Sequence, residues 1–101
     1  GKWTAECAQE LGIPIPTIDA ALTGRLLSSM KEERVSASEH LSGPKDKPQG
    51  LDKAEILPAL ADALFASKIC SYAQGLSLIR AASQEYKWDI DLSETARIWK
   101  G

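Results

Sequence analysis

The sequence predicts an all-α protein of about four helices, two of them long. Three observations lead to this fold class. Apolar residues recur at helical intervals, helix-capping residues stand before the apolar stretches, and the alternation typical of strands is nearly absent. The two long helices are expected to cover roughly residues 17–41 and 57–86.

A short first helix is expected to begin with Thr4 as its N-cap and to run to about Leu11. Gly12 follows as its stop, because glycine adopts the left-handed conformation that ends many helices. Residues 13–16, Ile-Pro-Ile-Pro, then form a stiff extended connector, since each proline disfavours helix in the residue before it. The second helix therefore begins at Thr17, and it should run to about Leu41, before a loop over residues 43–51 that is rich in glycine and proline.

The third helix carries a conflict near its start. Asp52 and Glu55 form a capping-box pattern, but Pro58 follows, and proline suits a first turn and damages a helix interior. Either the continuous helix starts near Leu57, or residues 52–57 form a separate turn. From residue 59 to 82 the segment is apolar on nearly every face, which is typical of a core helix surrounded by others. The chain has too few other helices to surround this one, so we expect helices outside the chain to cover it.

The last helix is expected from Leu92 onward, with Asp91 and Glu94 as its capping box. It has made barely two turns when the sequence stops at Gly101, and the sequence begins at Gly1 without an initiator methionine. Neither end has the character of a natural domain boundary. The expectation is a piece excised from a longer protein.

Composition excludes several functional classes. The chain has 101 residues and a formal net charge of −2, so nothing favours a nucleic acid or an anionic membrane as partner. No apolar run is expected to be long enough for a membrane span. Its two cysteines, Cys7 and Cys70, are too few for a disulfide scaffold, and we expect both to be buried free thiols in a reducing compartment rather than a disulfide pair.

Motifs for catalysis are missing from the sequence. The single histidine, His40, stands next to Glu39 near the polar end of the second helix and is interpreted as a solvated surface residue. No metal-ligand spacing, nucleophile elbow or glycine-rich dinucleotide turn is present. We therefore expect no catalytic, metal-binding or cofactor-binding residue in this chain.

Arg25 is the one charged residue whose position in the sequence suggests a functional role. At about 100° per residue it falls on the same helix face as Ile18, Leu22 and Ser29, which we interpret as the buried stripe. A guanidinium in an apolar stripe needs an anionic partner. The partner is either a carboxylate in a structural ion pair or a bound phosphate or carboxylate ligand. A third alternative is that the side chain reaches solvent and needs no partner.

A polar band interrupts the apolar third helix. Its members must be paired with something if they are buried. We favour hydrogen bonds from these side chains to neighbouring helices over contacts with a ligand, and we expect Gly75 to allow close packing of the helices. The band comprises Ser67, Lys68, Ser71, Tyr72, Gln74 and Gly75.

Five stretches of the chain resemble the decarboxylating 6-phosphogluconate dehydrogenases. They are residues 1–4, the 12–16 connector, the Ala-Ala-Leu-Thr-Gly-Arg-Leu-Leu-Ser-Ser run at 20–29, the Ala-Ser-Lys-Ile-Cys-Ser-Tyr-Ala-Gln-Gly run at 66–75, and residues 96–101. The similarity spans essentially the whole chain in the right order. It implies that residues 1–101 are a fragment of the family's helical C-terminal domain, without the N-terminal Rossmann-type domain that binds NADP.

The resemblance also implies a function. The family's enzymes, which we expect to be cytoplasmic homodimers, oxidise 6-phosphogluconate and decarboxylate the product to ribulose 5-phosphate. Their catalytic lysine and glutamate lie upstream of this sequence, a phosphate-binding lysine and threonine precede the position of Gly1, and further phosphate ligands follow Gly101 in the partner subunit. Of the family's substrate ligands only an arginine maps here, and it is Arg25.

The sequence also allows two other interpretations. One is a detached helical interaction module without enzymatic activity. Its gene would have its own start codon, and polar residues would replace the apolar residues on the exposed core surface. A short-chain hydroxyacid dehydrogenase of the same superfamily is disfavoured by the specific runs at 20–29 and 66–75.

Overall fold

Five helices follow one another in the computed structural model of the chain: α1 (Lys2–Glu10), α2 (Pro16–Ser29), α3 (Lys31–His40), α4 (Lys53–Glu85) and α5 (Leu92–Ile98). The structure describes residues 1–44, 50 and 52–99. No strand occurs in these ranges, and the all-α prediction is confirmed. Most of the predicted 43–51 loop, together with Lys100 and Gly101, lies outside the described residues.

The end of α1 is a Schellman motif centred on Gly12. The N–H of Ile13 donates to the carbonyl of Ala8 at 2.9 Å, and the N–H of Gly12 donates to that of Gln9 at 3.3 Å. Gly12 has φ +65°, so the predicted glycine stop is confirmed. The predicted Thr4 cap is wrong, because α1 already begins at Lys2 with Gly1 as its N-cap.

Replacing Gly12 with alanine is expected to lower the free energy of unfolding by about 1 kcal/mol, because a Cβ is strained at positive φ. Gly12→Asn is the matched control and should cost less, since asparagine tolerates the left-handed region. Denaturant unfolding of the full-length protein that contains this chain measures both. Equal stability of the alanine and asparagine variants would contradict this account of the helix end.

The predicted helix over 17–41 is two helices that meet at Met30, whose φ of −81° and ψ of 50° are not helical. The Oγ of Ser29 donates to the carbonyl of Leu26 at 2.6 Å, a local bond that competes with the helical ladder. Arg34 of α3 then donates from Nη2 to the carbonyl of Ser28 at 3.0 Å. The break therefore leaves a terminal carbonyl of α2 that a side chain of α3 satisfies.

Helix α4 begins at Lys53, earlier than the predicted start near Leu57. Asp52 is its N-cap, and its carboxylate accepts a hydrogen bond from the N–H of Ala54 at 3.0 Å. Pro58 lies inside the helix and removes one backbone hydrogen bond there. The capping signal thus prevails over the proline, and the end at Glu85 agrees with the predicted end near Tyr86.

Asp91 caps α5 as predicted. Its carboxylate accepts hydrogen bonds from the N–H groups of Ser93 at 2.7 Å and Glu94 at 3.2 Å. Edge-to-face packing of Trp99 on Tyr72, with ring centroids 6.1 Å apart, holds the end of α5 against the middle of α4.

The buried core is small. Ala8, Ile15 and Leu78 are the buried apolar residues of the described ranges, and they join α1, the connector and α4. The radius of gyration is 18.8 Å, whereas a compact domain of this length has one of about 13 Å. The chain is therefore an open assembly of helices, and most of its large apolar side chains face outward.

Candidate functional site

Arg25 lies in the middle of α2 and is exposed. The predicted burial of its helix face is wrong, because α2 contains no buried residue. Ile18 and Leu22 on that face are half-buried, and Ser29 is exposed. Contacts with α1 and α4 cover only the N-terminal part of the face. Among the described residues, no hydrogen bond or ion pair engages the Arg25 guanidinium, so the structure contains no carboxylate partner for it.

The start of α1 packs against Leu22, which precedes Arg25 by three residues on α2. A Cβ on Gly1 would stand 2.9 Å from Cδ1 of Leu22, which puts the start of α1 directly against α2. The start of α1 and the part of α2 that carries Arg25 are therefore joined through Leu22.

Gln74 of α4 holds the start of α2 through three hydrogen bonds. Its Oε1 accepts from the N–H of Thr17 at 3.0 Å and from the N–H of Ile18 at 3.3 Å. Its Nε2 donates to Oγ1 of Thr17 at 3.0 Å. We call this arrangement the Gln74 clamp. Because Ile15, the N-cap of α2, makes no side-chain capping bond, the clamp supplies the missing acceptor from another helix.

Other members of the polar band on α4 behave differently. Ser67 and Ser71 donate to carbonyls of their own helix, those of Ala63 at 2.8 Å and Ser67 at 2.9 Å. A Cβ on Gly75 would meet no atom within 4 Å. The favoured interpretation of helix–helix hydrogen bonds is therefore confirmed for Gln74, and the close packing expected at the glycine is wrong within this chain.

His40 is exposed, with Nδ1 3.1 Å from the carbonyl of Ser36 one turn earlier, as expected of a surface residue. Cys7 and Cys70 are free thiols, and both are exposed. The predicted burial of the cysteines is wrong, because the open packing of the described helices leaves both side chains exposed. In the described ranges no group of three or more His, Cys, Asp or Glu side chains is placed to hold a metal ion.

An apolar cavity of about 330 Å³ opens between α1, the second half of α4 and the segment before α5. No acidic or basic side chain lines it, so it contains no general acid or base apart from weakly acidic hydroxyl and thiol groups. Tyr86 and Trp88 form one wall, with ring centroids 4.9 Å apart. The lining residues are Cys7, Leu11, Leu78, Ile79, Ala82, Tyr86, Trp88, Ile90 and Thr95.

The helical arrangement alone does not identify the protein family of the chain, but comparison with known families does. The family model of the 6-phosphogluconate dehydrogenase C-terminal domain matches residues 1–101. The chain belongs to this family. It is 55% identical over 101 residues to the decarboxylating 6-phosphogluconate dehydrogenase of Synechocystis, and 52% identical over 101 residues to the NADP(+)-dependent decarboxylating enzyme of Bacillus subtilis. A rice enzyme named 6-phosphogluconate dehydrogenase, decarboxylating 1, is 48% identical over the same length.

The chain is covered completely in these three matches, but it spans only about a fifth of the relatives' length, 21% for Synechocystis and 22% for Bacillus subtilis. About four fifths of each relative's sequence therefore has no counterpart in residues 1–101. Membership in the 6-phosphogluconate dehydrogenase C-terminal family accounts for the helical fold and for the specific runs at 20–29 and 66–75.

Helix α4 is long and apolar enough, by length and composition, to cross a membrane, so the expectation that no such stretch exists is wrong. Core helices of globular proteins share this length and composition. Asp62 and Lys68 lie within α4, and charged side chains at such positions are costly in hydrocarbon. With the family established, α4 is interpreted as a core helix.

Proposed function

We propose that this chain is part of an NADP-dependent enzyme that oxidises 6-phosphogluconate and decarboxylates the product to ribulose 5-phosphate. The family match over all 101 residues carries the proposal, together with relatives that bear this enzyme's name. The dehydrogenase name of the relatives places such an enzyme among the oxidoreductases. The chain's own proposed part is to supply a ligand for the substrate phosphate and a scaffold for the helical core and the dimer.

Arg25 is proposed as a ligand of the substrate phosphate. Two observations support this role. Its side chain is exposed and has no partner among the described residues, so it is available to an anion. It stands one turn past Leu22, which contacts Gly1, and the family resemblance places two further phosphate ligands just before Gly1.

The chemistry of the described residues is that of binding. A guanidinium forms two parallel charge-assisted hydrogen bonds to a phosphate and keeps its own proton at any working pH. Arg25 would thus orient the phosphorylated end of the substrate without taking part in proton transfer. The sequence contains no glycine-rich strand-to-helix turn of the kind that binds a dinucleotide. In the proposed enzyme the cofactor is bound by a separate domain outside residues 1–101.

A homodimer in the cytoplasm is the proposed assembly and location of the complete enzyme. The outward apolar surface of α4 supports an extensive covering by other helices, whether from the same subunit or its partner. Residues that form this surface include Leu57, Leu60, Leu64, Phe65 and Ile69.

The proposed activity is tested with the full-length protein that contains this chain. We expect NADPH absorbance to rise only when 6-phosphogluconate and NADP are both present, with one CO₂ released for each NADPH formed. Gluconate without its phosphate should be a far weaker substrate. A detached helical interaction module would give no turnover with any of these substrates, and that result would reject the proposal.

A further inference from the structure

The Gln74 clamp joins α2 to α4 by side-chain hydrogen bonds. Thr17 and Gln74 are 57 residues apart in sequence, and no other side-chain hydrogen bond among the described residues joins positions so far apart. The hydrogen-bonded atoms are half-buried, where such bonds are less exposed to competition from water. Since α2 has no buried residue of its own, the clamp is the specific contact that sets where α2 begins on α4.

The clamp also determines the rotation of α2 about its axis. Oε1 of Gln74 accepts from two consecutive N–H groups, those of Thr17 and Ile18, while Nε2 engages the Thr17 hydroxyl. A one-residue slip or a rotation of α2 would break at least two of these three bonds. Packing of half-buried Ile18 against the small core alone would leave such movements open.

Arg25 follows Ile18 by seven residues on the same helix. Seven residues are about two turns, so the two side chains share one face, and Arg25 lies about 10 Å further along the axis. A continuous helix from Pro16 to Ser29 transmits any shift of its first turn to this position. The place of the guanidinium is therefore set through the clamp.

We infer that Gln74 is a positioning residue for the substrate phosphate, acting through α2 on Arg25. The inference rests on the proposed function, in which Arg25 binds that phosphate. Gln74 itself touches no substrate. Its side chain holds the helix that carries the ligand, and its loss leaves Arg25 chemically intact but misplaced.

Gln74→Leu in the full-length enzyme tests the inference, because leucine keeps the size of the side chain and removes all three bonds. Misplacement of a binding group by about 1 Å is worth up to about 100-fold, so we expect the KM for 6-phosphogluconate to rise roughly 10-fold to 100-fold. The KM for NADP and the activity on gluconate should stay within about twofold, because neither depends on the phosphate contact.

Two further variants keep the test decisive if Gln74→Leu fails to fold. Gln74→Glu should restore near-normal KM, since a carboxylate accepts from both N–H groups and from the Thr17 hydroxyl, and an anion is favourable at a helix N-terminus. Thr17→Val removes only the hydroxyl contact and should have an intermediate effect. Gln84→Leu, at an exposed position on the same helix, is the matched control and should leave the KM unchanged.

Arg25→Ala separates failure of the inference from failure of the proposed function. If Arg25→Ala raises the KM for 6-phosphogluconate and Gln74→Leu acts equally on 6-phosphogluconate and gluconate, positioning is overturned while the phosphate site stands. If Arg25→Ala has no effect, the phosphate site and the inference both fail. Positioning predicts that adding Gln74→Leu to Arg25→Ala raises the KM little further, because both changes remove the same contact, and a full additive rise would also overturn it.

Discussion

Arg25→Ala in the full-length enzyme is expected to raise the KM for 6-phosphogluconate roughly 30-fold to 150-fold, which corresponds to the loss of about 2–3 kcal/mol from a charge-assisted contact. The KM for NADP should not change, because the proposed role of Arg25 is to bind the phosphate of the substrate and not the cofactor. Stability should change little as well, since the side chain is exposed and no described residue pairs with it. Steady-state kinetics with each substrate varied in turn measures the effect.

Two control variants distinguish bidentate binding from a general loss of charge. Arg25→Lys keeps the charge and loses the planar pair of donors, so its KM should lie between those of the parent and the alanine variant. Arg80→Ala removes an exposed arginine from α4 and should leave the KM nearly unchanged. A KM for 6-phosphogluconate that is unaltered in Arg25→Ala would reject Arg25 as a phosphate ligand.

Local signals in the sequence predicted the helix ends well where one side chain or one glycine decides them. Asp52, Asp91 and Gly12 each satisfy backbone groups within three residues of themselves, so short sequence patterns contain all the necessary information. The break at Met30 had only a weak signal, the Ser28-Ser29 pair, and Arg34 completes it from the following helix. The helical spacing of apolar residues continued through Met30, and it therefore predicted one uninterrupted helix.

The candidate site divides in the same way. Arg25 was singled out as a charge among apolar positions, but its burial was inferred from periodicity, and periodicity does not reveal whether a second element covers a face. Its proposed role now depends on its neighbours and on the family resemblance. Gln74 was noticed only as one polar residue in an apolar helix. Its partners lie 56 and 57 residues away, and no local pattern identifies such a pair.

The 101-residue chain on its own is expected to lack a cooperative thermal transition. Its core consists of Ala8, Ile15 and Leu78 among the described residues, too little apolar burial to offset about 1–2 kcal/mol of backbone entropy for each residue ordered. Far-ultraviolet circular dichroism should still show helix, while the near-ultraviolet signal of the tryptophans should be weak and a dye for apolar surfaces should bind strongly. Size exclusion should show self-association, because the apolar surface of α4 is unprotected.

Matched leucine variants on α4 test whether this surface is responsible. Leu64 is 74% exposed and Leu78 is 8% exposed. Leu64→Lys should reduce the self-association of the isolated chain and leave its helix content unchanged, because the charge stays in water. Leu78→Lys should lower the helix content, since it places a charge in the small core. In the full-length enzyme Leu64→Lys should instead be strongly destabilising, because the same position would then be covered. A sharp calorimetric transition of a monomeric 101-residue chain, with equal calorimetric and van't Hoff enthalpies, would contradict the need for covering partners.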